Sequence, residues 1–317
     1  MFLCVSPNPA VDKRVRMGSL RRGQVNRAES AKGYAGGKAA HVAMVLHTLG
    51  EDTRWTGLCG GASGAEIVAG LMKLGIAASG GFTEKPARTN LEIVEEDGTV
   101  TEVLEPGETP GAEELAVFES ACVREFSRHG ENLIVVFSGS LPGNTKPDLY
   151  ARLIAMAKQF KCKTFLDASG AALREGLKAK PFFLKPNREE ASALFDQPVT
   201  SLSTGVSALR RLLQAGAESA ALSLGKDGLL YCAGPEEPVL LALGLTVEAR
   251  STVGCGDSAL AGFASGIASK RTACETLQLA TACAAANCIA DSPGAARIED
   301  IRRFRQQALV QTLEDIP

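Results

Sequence analysis

The stretch Ser251–Lys270, STVGCGDSALAGFASGIASK, places two glycines and an aspartate ahead of a run of small residues. Glycines at the mouth of a helix let successive backbone N–H groups converge on one point, and the helix N-terminus adds partial positive charge there. The backbone of Gly254, Cys255 and Gly256 therefore reads as an anion hole, with Asp257 in reach of its occupant. A carboxylate beside bound phosphate oxygens suits a general base acting on a hydroxyl nucleophile. The small residues that follow, from Ser258 to Gly266, would let the helix pack closely beneath the site. Two other readings fit the same letters. Asp is a favoured N-cap, so Gly256-Asp257 could serve only as a turn and a cap. Gly254, Gly256 and Ala259 also match the dinucleotide pattern G-x-G-x-x-A, but alanine-rich helical sequence from Ala273 to Ile289 stands where that motif needs a strand ending in an acidic residue.

Around this stretch, short apolar runs alternate with amphipathic ones, which is the pattern of an α/β fold with a mostly parallel sheet. FLCVS opens the chain; helices are expected over about 38–49 and 65–74, with TRWTGLCG between them. After residue 110 the runs NLIVVFSGS, CKTFLDAS, FFLKPN, SAALSLG and LLYCAG each end in polar or glycine residues. Ligands of such sheets gather at the carboxyl ends of strands. Two segments break the rhythm, about 12–35 and about 87–105, the second alternating around Asp97-Gly98 as a hairpin does. They are expected to form a small β-sheet lid on one domain spanning 1–317.

Composition narrows the class. Hydrophobic residues are 45% and charged residues 22%, and the formal net charge of -2 gives no electrostatic case for nucleic acid or an anionic membrane as a partner. No apolar run is long enough to span a bilayer, and FLCVS follows Met1 without a basic n-region, so a soluble cytoplasmic protein without signal peptide is expected. Nine cysteines, with no CxxC pair, read as buried reduced thiols.

Other motifs carry weaker signals. In KGYAGGKAAHVAMVLHTLG, the lysine after the glycines is followed by Ala39 and not Ser or Thr, which excludes a Walker A loop. Lys38 could hold an anionic group approached by the backbone of Gly36 and Gly37, or be a solvated lysine after a turn. His41 and His47, six apart, do not share a face for metal binding, and His41 is the better candidate to line a site. Ser138 ends a strand in a hydroxyl- and glycine-rich turn. Asn187 and Glu190, one helical turn apart, could orient hydrated magnesium or simply cap their helix. The turn from Ser223 to Gly228, with Gly225, suits nucleotide phosphates or a hairpin.

In order, NPAVD, GGK, RTN, SGSLP, KPNxxE, SLGxxG and TVGxGDS make a pattern that resembles the ribokinase or PfkB carbohydrate kinases, in the branch of 1-phosphofructokinase and tagatose-6-phosphate kinase. The resemblance covers nearly the whole chain. It implies a doubly wound α/β domain with a β-sheet lid, and transfer from MgATP to a hydroxyl of a hexose phosphate. It also implies roles. Asp257 would be the base; Asp12, with Asn90 of RTN, would meet the sugar; Lys38 and Arg88, with Arg27 beside them, would clamp its phosphate. Asn187 and Glu190 would orient Mg2+, Lys185, Ser223, Gly225 and Gly228 would lie along ATP, and Asn287 near adenine. A homodimer through the lid is expected. Where the family usually has GGKGxN this chain has GGKAAH, and Cys255 replaces the usual alanine, so acceptor choice rests on His41. A kinase for an unphosphorylated sugar or nucleoside, or a catalytically silent sugar-phosphate sensor, are the alternatives.

Overall fold

Strand β1 (Phe2–Ser6) is buried along its whole length, and its side chains alternate between two cores: Phe2 and Cys4 enter one, Leu3 and Val5 the other. A strand apolar on both faces belongs in the middle of a sheet covered on both sides. The computed structural model describes residues 1–313. Along the chain follow β2 (Ala10–Met17), β3 (Ser30–Gly36), α1 (Lys38–Thr48), β4 (Thr53–Gly57), α2 (Gly61–Lys73), β5 (Ala77–Ser79), β6 (Arg88–Glu95), β7 (Val100–Leu104) and α3 (Ala112–His129). Then come β8 (Ile134–Ser138), α4 (Leu149–Gln159), β9 (Lys163–Asp167), α5 (Gly170–Lys178), β10 (Phe183–Leu184), α6 (Arg188–Phe195), α7 (Leu202–Gln214) and β11 (Ser219–Ser223). The last elements are β12 (Leu229–Cys232), β13 (Val239–Ala242), α8 (Cys255–Ala268), α9 (Ala273–Cys288), α10 (Ile298–Gln307) and β14 (Val310–Leu313).

The large sheet has the order β14-β13-β12-β11-β10-β9-β8-β1-β4-β5. From β5 to β11 neighbouring strands are parallel, and β12, β13 and β14 extend the sheet antiparallel. Helices α1, α2, α8, α9 and α10 bury their apolar residues on one face and α3 to α7 on the other, which is a doubly wound arrangement. The small-residue stripe of α8 explains how that helix lies so near α9. A Cβ on Gly262 would come within 2.5 Å of the Ala280 Cα, so the two backbones touch where a side chain would stand.

The second sheet has the order β3-β2-β6-β7. Its β2 and β6 run parallel with Asp12 opposite Asn90, and β6 and β7 form the hairpin expected at Asp97-Gly98. Residues 18–29, inside the first expected segment, are neither helix nor strand and are largely exposed. Helix α2 starts at Gly61, four residues before the expected boundary, because low-propensity Gly61, Ser63 and Gly64 disguise its first turn. Among the described residues no helix is long and apolar enough to cross a membrane.

Candidate active site

A cavity of about 570 Å³ opens beyond the carboxyl ends of the parallel strands, between them and the small sheet. Asp12 enters it from β2, His41 from α1 and Asp257 from the first turn of α8. His41 Nε2 lies 2.8 Å from Asp12 Oδ2, and Nδ1 lies 2.8 Å from Asp257 Oδ2. Ionised carboxylates only accept, so both ring nitrogens must donate and the ring is an imidazolium. Burial favours the neutral ring, but the two hydrogen bonds and the two negative charges outweigh it and push the His41 pKa up to about 10. Asp12 is in turn held below its ordinary value: burial would raise it, and the bond and charge of His41, with Asn90 Nδ2 (2.8 Å) and Gly37 N–H (3.2 Å), prevail. Gly36 is required here, since a Cβ on it would lie 2.2 Å from the Asp12 carboxyl group.

Helix α8 begins after Gly254, whose φ of 79° is left-handed, and no side chain caps it. Asp257 is therefore not an N-cap; its carboxylate is engaged by His41 through Oδ2, and the residue lines the cavity. The first bond of the helix ladder runs from Ser258 N–H to the Gly254 carbonyl (2.9 Å), so the amides before it, that of Cys255 excepted, have no backbone partner and can meet an anion. Gly254 and Gly256 line the cavity. Cys255 does not: its N–H turns back to the Thr252 carbonyl at 3.3 Å, which leaves the expected trio of donors as two glycines.

On the opposite side, Asp167 ends β9 and is almost fully buried. Lys185 Nζ sits 2.9 Å from its Oδ2 and Lys38 Nζ 2.9 Å from its Oδ1, with Glu190 Oε1 3.8 Å from Lys38. Burial alone would raise the Asp167 carboxyl, yet the ammonium groups of Lys185 and Lys38 hold it well below the ordinary range. Glu190 moves up, because burial and the Asp167 charge disfavour its ionised form more than Lys38 favours it. Asn187 and Glu190 form a reciprocal capping box on α6, with Glu190 N–H to Asn187 Oδ1 at 2.7 Å and Asn187 N–H to Glu190 Oε2 at 2.9 Å. Glu190 Oε1 is spared by the cap, and both residues line the cavity.

The other expected residues divide. Arg88, Asn90, Lys185, Ser223 and Gly37 line the cavity. Two backbone carbonyls fix Arg88: Glu105 at 2.7 Å from Nη1 and Asn8 at 3.3 Å from Nε. Lys38 is drawn toward Asp167 and Glu190, so its ammonium group is already shared. Arg27 is exposed in the 18–29 loop and away from the cavity lining, because β2 and β3 diverge beyond Arg16 and Ser30. Ser138 lies buried under the strand end, its hydroxyl unpartnered. Asn287 is a brace, not a lining residue: its Nδ2 donates to the Val253 carbonyl (2.7 Å) and its Oδ1 accepts from Gly294 N–H (2.8 Å). Gly225 and Gly228 lie outside the lining, and a Cβ on Gly228 would overlap the Ala242 carbonyl, so packing against the end of β13 accounts for that glycine.

Sequence reading missed two groups. Asp167 is visible only as the acid in CKTFLDAS where the strand ends, and nothing local marks its pairing with lysines 129 and 18 positions away. The second group ties the small sheet to the α8 loop. Arg14 of β2 makes a bidentate buried pair with Glu92 of β6, at 2.6 and 2.8 Å, and Arg14 Nη1 donates to the Asp291 carbonyl. Ser251 Oγ donates to Glu92 Oε1 (2.8 Å) and accepts from Val253 N–H (3.1 Å).

The chain that builds this cleft is similar to proteins already known. Residues 8–299 match the profile of the pfkB family carbohydrate kinase. The 1-phosphofructokinase of Bacillus subtilis is 29% identical over 294 residues, 93% of this chain and 94% of its own. The tagatose-6-phosphate kinase of Staphylococcus epidermidis is 32% identical over 297 residues, 93% and 94% of the two chains. Escherichia coli phosphofructokinase-2, solved with substrates and products, is 23% identical and shares the fold with a TM-score of 0.89 over 97% of this chain and 98% of its own. With a profile that matches residues 8–299 and two such relatives in agreement, the chain belongs to the pfkB family of carbohydrate kinases.

Proposed function

We propose that this kinase transfers the γ-phosphoryl group of ATP to a free hydroxyl of a hexose phosphate, fructose 1-phosphate, fructose 6-phosphate or tagatose 6-phosphate, yielding a hexose bisphosphate and ADP. The observation that carries the reading is Asp257: His41 takes its Oδ2, Oδ1 has no hydrogen-bond partner among the described residues, and the residue lines the cavity with Gly254 and Gly256. Oδ1 receives the acceptor's proton as its hydroxyl oxygen attacks phosphorus, and the amides meet the charge that develops on the transferring group. Asp12, with Asn90 fixed against it, orients the sugar hydroxyls. Arg88 takes the phosphate already on the sugar; its backbone anchors use two of its five donors and leave the rest for oxygen ligands. A neutral acceptor would give that cation nothing to bind, which disfavours a free sugar or nucleoside. Lys38 assists at the acceptor phosphate while tied to Asp167. His41 stands at the acceptor seat and discriminates among hexose phosphates.

The nucleotide lies along Lys185, Asn187 and Ser223. Glu190 Oε1 is spared by the capping box and is an acceptor that fits the waters of hydrated Mg2+, which would neutralise phosphate charge there. The Asn187 Nδ2 group, also spared, can donate to a phosphate oxygen. The domain spans 1–317, its last four residues lying outside the described ones, and the small sheet serves as its lid. Exposed Val103 and Leu104 at the edge strand β7 favour a homodimer through that lid. Nine free cysteines favour a reducing, cytoplasmic setting.

An ADP-release assay over phosphorylated and free sugars tests the reading. Turnover of hexose phosphates with free sugars inert is expected, and the reverse ranking overturns it. Light scattering at micromolar concentration tests the dimer, which a fully active monomer contradicts.

A further inference from the structure

Of the nine cysteines, six are buried singly and Cys274 is exposed; Cys255 and Cys288 are half-buried with their sulfurs 3.1 Å apart. Cys255 opens α8 between Gly254 and Gly256, and Cys288 ends α9. The loop between them and the small sheet already hangs on this point. The Cys288 carbonyl accepts from Arg250 N–H (2.7 Å) and Ser251 N–H (3.3 Å), and the neighbouring Asn287 Nδ2 reaches both the Val253 carbonyl and Cys255 Sγ (3.4 Å). Whatever moves the end of α9 relative to α8 therefore moves the amides of Gly254 and Gly256.

We propose that Cys255 and Cys288 form a reversible modification site, a disulfide raised by peroxide-class oxidants, that switches the kinase off. The inference rests on the reading of the α8 loop as the seat of the transferring phosphoryl group. Either sulfur can donate across this contact, but once Cys288 is ionised the Cys255 thiol donates to it, which holds Cys288 below its ordinary value and makes it the better nucleophile of the two. Its thiolate attacks one peroxide oxygen, the O–O bond breaks, and a sulfenic acid forms as hydroxide leaves and takes up a proton to become water. The Cys255 sulfur, giving up its proton, then attacks the Cys288 sulfur; the S–O bond breaks and a second water departs. Two electrons pass from the sulfurs to peroxide, and a dithiol returns them by exchange.

Closing the gap from 3.1 Å to a bond of about 2.05 Å draws the sulfurs together by about 1 Å. A displacement of that size in a catalytic group can cost about 10²-fold in rate. Hydrogen peroxide treatment of the whole enzyme, followed by thiol blocking, non-reducing digestion and mass spectrometry, is expected to yield a linked peptide joining Cys255 to Cys288. Turnover should fall by about 10²-fold and return with dithiothreitol. Cys288→Ser, at a position outside the cavity lining, should keep the reduced rate and resist peroxide. Absence of the linked peptide from the wild-type digest, equal inactivation of Cys288→Ser, or a bond that leaves turnover unchanged each overturns the proposal. A reduced enzyme inert toward every hexose phosphate counts against the proposed function instead, and the digest still decides the bond.

Discussion

On the α8 side of the cleft the polar groups are backbone amides held in place by Gly254 and Gly256, whereas on the β2 and α1 side they are side chains paired with one another, Asp12 with His41 and Arg14 with Glu92. The first wall depends on chain geometry and is indifferent to pH. The second depends on charge balance, because each buried ion is stable only while its partner is present. Asp257 belongs to both, standing on the glycine helix and bonded to the imidazolium. Substitutions that affect one wall alone should therefore separate binding of the transferring phosphoryl group from binding of the acceptor.

The largest effect is expected at the shared residue. Asp257→Asn keeps size and removes the basic oxygen, so kcat should fall by about 10² to 10⁴-fold with ATP affinity little changed. Since Asp257 caps no helix end, thermal stability should change little for want of a cap, and wild-type turnover would sink the assignment of the base. Next comes the tie between the small sheet and the α8 loop. Glu92→Ala leaves Arg14 buried without its partner and removes the acceptor of Ser251, at a cost of about 3 to 5 kcal/mol in stability. Denaturant unfolding measures this, and a loss within experimental error would show the two walls to be independent.

A smaller effect should distinguish the cations. Arg88→Ala forfeits charge-assisted bonds worth about 1.5 to 3 kcal/mol, read as a raised KM for the hexose phosphate alone. Lys38→Ala, which also removes one of the two ammonium partners of Asp167 and leaves it to Lys185 alone, should disturb both substrates. Equal KM changes for both substrates in Arg88→Ala would remove Arg88 from the acceptor site. The smallest is a slope. His41 has its folded pKa raised from 6.5 to about 10, so the stability it contributes is complete below about pH 6.5 and is lost as pH climbs through about 10. Thermal unfolding of the wild type should therefore weaken more steeply between those limits than that of His41→Asn. The same variant should reorder the hexose phosphates, and an unchanged order would return His41 to packing.

Legibility followed the same division. Glycine-rich turns and strand-ending runs announce backbone geometry in adjacent letters, so the parallel sheet, the hairpin at Asp97-Gly98, the α8 loop and Asp257 could be read directly. Side-chain pairings across long separations have no such signature. Arg14 and Glu92 are 78 positions apart and look like ordinary charged strand residues until β2 and β6 are laid in register. Asn187 and Glu190 satisfied two local patterns at once, and only the spare Oε1 shows that the cap does not consume the carboxylate. Asn287, which the resemblance sets near adenine, has no local signature for its bracing bonds to the Val253 carbonyl and Gly294 N–H.

The contact of Gly262 with Ala280 bears on the thermodynamics of turnover. Two helices that meet backbone to backbone have no side-chain rotamers between them to freeze, so α8 cannot drift or tilt much when the cleft fills. Its leading amides are oriented when the chain folds, and the entropy of fixing them is spent then, once, and not at each catalytic cycle. A larger residue at position 262 should consequently be felt at the far end of the helix, as slower turnover in a protein that still binds both substrates.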